Sequence, residues 1–461
     1  MSEAMEPALH EWHRDDLSYI LHPATALKAH GEEGPTILVD GHGIYVKDLQ
    51  GRQFIDGLAG LWNVNIGHGR TEIGDAVREQ IGRLAFAPSF FGFSNLPSIG
   101  LAKKLIDMTP PHLTRVFYTS GGSETNESAF KIARYFFKLN GQPKRFKIIS
   151  RHQAYHGMSM GALSATGIQH YRDMASPLVP GFSFIPAPYC YRCELGLSYP
   201  SCELACAKAL EQKLQEEGPD TVVAFIGEPI MGAGGAIVPP PEYWPMIEAI
   251  CRKYGVLLIL DEVITGFGRT GKRFALEHWD LRPDMLSLAK GISSGYVPLG
   301  ASLITEAIYR DLVDKAPAGA PFPHGFTYNG HPVACVAALK NLDLMEQEQL
   351  IDRAAEVGAY FQERLRGFLD HPLVGDVRGL GLIAGVELVR NKASKERFEP
   401  IGSAGALVMR LAFERGLICR AILDTIAFAP PLCITKGQVD DMVRIVGEAL
   451  DCGQQALLDY V

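Results

Sequence analysis

No apolar run in this sequence approaches the roughly 18 residues that a bilayer-crossing helix needs, and "GVLLIL" at 255–260 is about as long as they get. No membrane role is therefore expected. The N-terminus, "MSEAMEPALHEWHRDD", lacks a basic stretch followed by an apolar one, so no export signal is read and a cytoplasmic location is expected. Positive charge is also in short supply: 44 Lys and Arg face 52 Asp and Glu, giving a net charge of −8, with the two signs interspersed. Tracking a nucleic-acid backbone takes a basic stripe, so nucleic acid is not an expected partner. Nine cysteines in 461 residues do not make a disulfide scaffold. The sequence has no internal repeat or low-complexity segment.

What it does have is core-forming material. Hydrophobic residues make up 47% of the chain, which also carries 48 glycines, enough for two or more closely packed domains. Short apolar runs alternate with amphipathic stretches: "RVFYTS" before "NESAFKIARYFFKLN", then "KIIS", "VVAFIGEP", "YWPMIEAICRKYG" before "VLLILDEV", and "MLSLAK". This is the α/β pattern of crossovers on a mostly parallel sheet, where chemistry gathers at the carboxyl ends of strands. Residues 34–56 read as a short meander with Asp-Gly and Gln-Gly turns. From about Ala334, long helices lead to "LGLIAGVEL" and "TIAFAPPL", a smaller α+β domain. The expected division is an N-terminal segment 1–60 packing with the small domain, a large domain 61–330, and the small domain 331–461.

Four stretches carry candidate chemistry. In "TSGGSETNESAFKIAR" a strand ends at Thr119, a small-residue turn follows, and a helix is expected from about Thr125. Backbone N–H groups at such a turn can cradle a phosphate, with Gly121 and Gly122 allowing close approach; a plain structural turn looks the same. "RHQAYHG" sets Tyr155 and His156 after a strand, where the ring either packs in the core or offers a flat face to a planar ligand.

The stretch "VLLILDEVITGFGRTGKRF" contains two decoys. Its Asp-Glu imitates a Walker B strand end, and Gly266 to Lys272 has P-loop spacing, but Arg273 stands where a Ser or Thr must reach Mg²⁺. The order is also reversed, which excludes a nucleotide hydrolase. Asp261 is left with three options: a strand cap, a partner for Arg269, or a counter-ion for a cationic ring nitrogen. Finally, "DMLSLAKGISSGYVPLG" ends an apolar strand in Lys290, followed at once by glycines and serines. Such a lysine either snorkels to water or, desolvated, has a lowered pKa and serves as a nucleophile.

In this order the motifs resemble those of the class III, or ω-amino acid, aminotransferases of fold type I, which use pyridoxal 5′-phosphate. The resemblance extends through "LWNVNIGHGR", "GEPIMGAGG", "LILDEVITGFGRTG" and "HGFTYNGHP", nearly the whole chain. It implies a large domain with a mostly parallel seven-stranded sheet plus the smaller α+β domain. Lys290 becomes the Schiff-base lysine and proton carrier, Asp261 the partner of the pyridine nitrogen, and Tyr155 the residue stacked on the ring. Ser120, Gly122 and Ser123 hold the phosphate, with Thr327 reaching it across a subunit interface; His156, Glu228 and Val263 lie beside the cofactor.

Within the family the chain is most similar to the amine:pyruvate, taurine:pyruvate and related ω-transaminases. That branch places Trp62, Phe90 and Phe91 in the substrate pocket and makes Arg420 the arginine that receives a substrate carboxylate. Implied partners are an amine donor, a 2-oxo acid acceptor such as pyruvate, and further copies of the chain, as a dimer or dimer of dimers with shared sites. An aminomutase or decarboxylase on the same framework is the alternative. Two departures stand out. Ala427 occupies a position where many members have arginine, and Leu423-Asp424 stands where close relatives read Gly-Asp. Separately, Cys190, Cys193, Cys202 and Cys206 have C-x₂-C and C-x₃-C spacing that admits a zinc site, a disulfide or free thiols. The catalytic site itself calls for no metal.

Overall fold

The computed structural model describes residues 5–458. The N-terminal meander forms as expected: β1 (Leu38–His42), β2 (Tyr45–Asp48) and β3 (Gln53–Asp56) run antiparallel. The central sheet contains β4 (Leu113–Thr119), β5 (Lys147–Arg151), β6 (Phe182–Ile185), β7 (Val222–Gly227), β8 (Leu257–Asp261), β9 (Met285–Leu288) and β10 (Gly300–Thr305). Its seven strands lie in the order β4-β10-β9-β8-β7-β5-β6. All are parallel except β10, which runs antiparallel between β4 and β9. Every residue of β7, β8 and β9 is buried, as an unbroken apolar run requires in a sheet covered on both faces.

The helix after β4 spans Gly122–Leu139 and packs across β4, β7, β8, β9 and β10. It begins three residues before the Thr125 expected from sequence. Gly121 is fully extended, Gly122 and Ser123 already belong to the first turn, and the Glu124 carboxylate accepts from Ser120 N at 2.8 Å. The small residues that read as a turn are therefore the helix N-terminus itself.

The C-terminal part carries β11 (Val374–Leu380), β12 (Ile383–Leu388), β13 (Leu417–Ile418), β14 (Arg420–Ile422) and β15 (Thr425–Phe428). Four of these make an antiparallel sheet in the order β11-β12-β15-β14. The fifth, β13, pairs in parallel with β3, joining the N-terminal meander to the C-terminal third of the chain.

Candidate active site

Because β4, β5, β7, β8 and β9 are parallel, the loops leaving them converge on one edge of the sheet. Asp261 is the last residue of β8 and sits in register with Ser287 on β9, so Lys290, three residues farther on, emerges beside it. Lys290 adopts φ 47°, in the left-handed region that costs a side-chain-bearing residue about 1–2 kcal/mol. Strain of this kind is held only where surrounding structure dictates it. Desolvation draws the Lys290 ammonium down to about 8; nearby Arg420 acts the same way, and Asp261 and Glu228 oppose it. The result is an amine far more easily deprotonated than an ordinary lysine, half neutral at about pH 8.

Asp261 is 4% exposed. Its Oδ2 accepts from Asn126 Nδ2 and from His156 Nδ1, each at 2.8 Å, and its Oδ1 accepts from Val263 N at 3.1 Å. Arg269 is not its partner. That guanidinium donates to Leu382 O at 3.0 Å, Pro430 O at 2.5 Å and Asn65 Oδ1 at 2.8 Å. Glu262, the other half of the Walker-like pair, accepts from Thr265 Oγ1, Ala275 N and Leu276 N, and so braces the following loop. Asn126 is a site residue that sequence reasoning missed. Its signal, a polar residue in the first turn after a phosphate-type turn, is indistinguishable from an ordinary helix residue until Asp261 is seen beside it.

Tyr155 follows β5, and its backbone N donates to Glu228 Oε1 at 3.0 Å. Glu228, just past β7, also accepts from Gly232 N at 3.0 Å and makes no ion pair; burial pushes its carboxyl above the ordinary range. Burial likewise raises Tyr155. At the phosphate-type turn, a Cβ on Gly122 would stand 2.9 Å from Val263 Cγ1, so Val263 lies directly against the helix start. A Cβ on Gly157, at φ 126°, would stand 2.4 Å from Ser123 Oγ, which accepts from Met158 N at 3.1 Å. Glycine is required at both places for the turn and the Tyr-His-Gly loop to meet.

Arg420 lies on β14, as the register partner of Ala427 on β15. The arginine position of many family members and the arginine present here are thus cross-strand neighbours. Its one side-chain hydrogen bond is a long 3.5 Å contact with Tyr171 Oη, whose ring meets Tyr155 edge-on at 6.0 Å. Leu423, in the hairpin turn, adopts φ 53°, a conformation glycine takes without strain. Trp62 is 2% exposed and packs with Ile264, Ile422 and Ala427, against the hairpin that carries Arg420.

Phe90, Phe91 and Thr327 sit on two segments that reach the strand leading into the phosphate-type turn, where Asn329 Nδ2 donates to Tyr118 O at 2.5 Å. Phe91 is 94% exposed, Thr327 is exposed, and Thr327 hydrogen-bonds to none of the site groups above. Their two segments are also knit to each other: Ser89 Oγ donates to Asn329 O at 2.8 Å and Asn95 Nδ2 to Gly330 O at 2.9 Å.

Comparison with known proteins gives this arrangement a family. Residues 28–450 match the family described as Aminotransferase class-III. The chain belongs to the class III aminotransferases. A putrescine–pyruvate aminotransferase of Pseudomonas aeruginosa is 39% identical over 449 residues, 97% of either chain. A diaminobutyrate–2-oxoglutarate transaminase of Halomonas elongata is also 39% identical, over 450 residues and 96% of each. The crystal structure of an (S)-enantioselective omega-transaminase from Thermomicrobium roseum superposes with a TM-score of 0.93 at 48% identity, covering 96% of this chain and 98% of that one.

This class III aminotransferase uses pyridoxal 5′-phosphate. The residues present fit that cofactor. Among the described residues His156 Nε2 and Asn126 Oδ1, buried beside Asp261, have no hydrogen-bond partner and Lys290 has no ion-pair partner, and the Gly122 turn leaves no room for a side chain. The aminomutase or decarboxylase alternative is not favoured by these comparisons. No helix among the described residues is long and apolar enough to cross a membrane.

Proposed function

We propose that this aminotransferase moves an amino group from a primary amine or ω-amino acid to pyruvate or a similar 2-oxo acid in a ping-pong cycle. The observation that carries the reading is that Arg420 is, among the described residues, the one arginine whose charge acts on Lys290. Arg420 stands without a carboxylate partner among the described residues, on a hairpin backed by Trp62 and Ile422, and Ala427 supplies no second cation. One guanidinium can receive one carboxylate bidentately. A monocarboxylate such as pyruvate is then matched, whereas a second carboxylate, as in 2-oxoglutarate, would be buried against apolar side chains at a desolvation cost. Two relatives of equal identity are named for those two acceptors, so overall identity does not choose between them.

In this reading Ser120, Gly122 and Ser123 hold the phosphate at the helix N-terminus. Tyr155 and Val263 bound the ring, Asp261 keeps its nitrogen protonated, and His156 and Asn126 hold Asp261 in place. Bound there, pyridoxal phosphate supplies an aldehyde that captures the amino nitrogen and a cationic ring that accepts electron density. Lys290, freed as a neutral amine, carries the proton between the substrate carbon and the cofactor carbon. Trp62, Phe90 and Phe91 are proposed pocket walls.

The last two, with Thr327, are proposed to act on a partner's site. Leu84, Phe86, Phe91, Phe93, Leu96 and Tyr328 are exposed large apolar residues on the two knit segments, an extent of apolar surface that single chains rarely leave open. A dimer, or a dimer of dimers, follows. The division at residues 60 and 330 is proposed as well, with the pairing of β3 and β13 in its support. The test is a panel of donors, putrescine, β-alanine, taurine and aryl-alkyl amines, each run against pyruvate and against 2-oxoglutarate. Turnover with pyruvate and little with 2-oxoglutarate is expected; preference for 2-oxoglutarate with every donor would refute the acceptor assignment.

A further inference from the structure

The segment 186–204, between β6 and the helix Ala205–Glu217, has no helix or strand of its own. Irregular stretches longer than about 12–15 residues are uncommon in compact domains unless something holds them. Burial holds only the ends of this one, at Ala187, Tyr189 and Leu204, and its middle is open, with Leu195, Leu197 and Tyr199 each more than 40% exposed. Yet the segment bears on the site: Tyr189 Oη donates to Glu387 on β12, and Arg192 pairs with the same carboxylate. Arg192 also donates to Lys395 O at 2.8 Å. Glu387 is in register with Thr425 on β15, the strand that closes the Arg420 hairpin. A loosely held segment would therefore loosen the back of the candidate substrate pocket.

Cys190, Cys193, Cys202 and Cys206 line one small pocket in this segment. All four are free thiols. The first pair lies where Gly196 N bonds back to Cys193 O at 3.0 Å; the second spans a turn closed by Ala205 N to Cys202 O at 3.1 Å, with Cys206 in the first turn of the helix. The remaining lining is apolar or aromatic, Ala187, Leu195, Leu197 and Tyr199 among it, with no carboxylate or imidazole to compete as ligand. Four thiolate sulfurs from two short-spaced pairs form the donor set that selects a tetrahedral thiophilic cation over Mg²⁺ or Ca²⁺.

We propose that these four cysteines bind one structural zinc ion, which staples the 186–204 segment and thereby braces the sheet behind Arg420. Binding forms four Zn–S bonds at about 2.3 Å and releases the thiol protons to solvent. No three of the four sulfurs lie within 4.8 Å of one another, so the ion would draw them together. Among the described residues, only Asp16, His22 and His30 bring three ligand atoms within 4.8 Å of one another. In that cluster His22 Nε2 lies 2.9 and 3.1 Å from the two Asp16 oxygens, while the buried His30 Nε2 has no hydrogen-bond partner among the described residues.

Elemental analysis of the purified, extensively dialysed holoenzyme tests the proposal. About one zinc per chain is expected, together with protection of all four thiols from alkylation in the native protein and their exposure once chelator and denaturant are added. Cobalt(II) exchange should give intense bands in the red, clear of the cofactor's own absorption. Cys193→Ser and Cys202→Ser should each lose the metal, and His22→Ala should keep it. If the serine variants do not fold, the wild-type zinc content, the alkylation map and the cobalt spectrum still decide. A metal-free chain with reactive thiols, an intact mass lower by two hydrogens per disulfide, iron in place of zinc, or zinc lost only from His22→Ala would each overturn the assignment.

Discussion

Asp261 and Arg420 both act on Lys290 electrostatically, yet they are held in opposite ways. Asp261 is anchored by three donors drawn from two side chains and a backbone N–H, at the end of a strand buried on both faces. Arg420 sits half-buried on a three-residue strand, two residues from a hairpin turn, with one long hydrogen bond. In the proposed roles, a charge that stays opposite a ring nitrogen gains from rigidity, because a preorganised group costs no reorganisation during reaction. A charge that must take up and release a carboxylate gains from being loosely held. The contrast can be broken by experiment.

The largest effect belongs to Lys290 itself, which both regions serve. Lys290→Ala should lower turnover by at least about 10³-fold, within the range by which a positioned proton carrier accelerates such steps. Amino exchange at the parental rate, measured in single turnover, would sink the mechanism. Arg420→Ala comes next. Losing charge-assisted hydrogen bonds of about 1.5–3 kcal/mol should reduce kcat/KM for pyruvate roughly 10- to 100-fold and leave uncharged amines nearly unaffected. Equal losses on both sides would mean that the hairpin arginine only supports the fold.

On the rigid side, Asn126→Ala removes one donor from a buried carboxylate and should cost about 1–3 kcal/mol of stability, read by denaturant midpoint, with weaker cofactor retention. No change in either would show that His156 alone suffices. The lowered Lys290 ammonium carries a pH signature. Cofactor uptake by apoprotein should accelerate as pH rises towards about 8 and level off above it, because the neutral amine is the reactive form. Between about 8 and the ordinary lysine range the unfolded chain binds the extra proton, so folded apoprotein should also gain stability as pH rises through that window. A level uptake rate across pH 7–9 would count against it. The smallest effect is on the flexible side: Leu423→Gly relieves a left-handed backbone and should be stabilising or neutral, within about 1 kcal/mol.

Much of this was legible in advance. Buried parallel strands announce themselves as unbroken apolar runs, and a charged residue ending such a run, like Asp261 or Lys290, is conspicuous because burying it is costly. Other features left no such mark. The antiparallel direction of β10 is invisible, since an apolar run reads alike both ways. Asn126 looks ordinary because what distinguishes it is contact with a carboxylate more than a hundred positions along the chain, and the same contact, not the Tyr-His-Gly pattern, is what ties His156 to Asp261. Arg269 was a reasonable partner for Asp261 by proximity in sequence, but its guanidinium turns away to Asn65 and two carbonyl groups.

The order of residues alone determined the α/β class, the family, and which lysine and aspartate end the central strands, because local patterning and motif order are one-dimensional properties. Tertiary structure decided who holds Asp261, how far the Lys290 amine is deprotonated, that Arg420 faces Ala427 across a hairpin, and that four cysteines share one cavity. Each of these depends on desolvation or on distances between segments remote in the chain, and no local pattern encodes either.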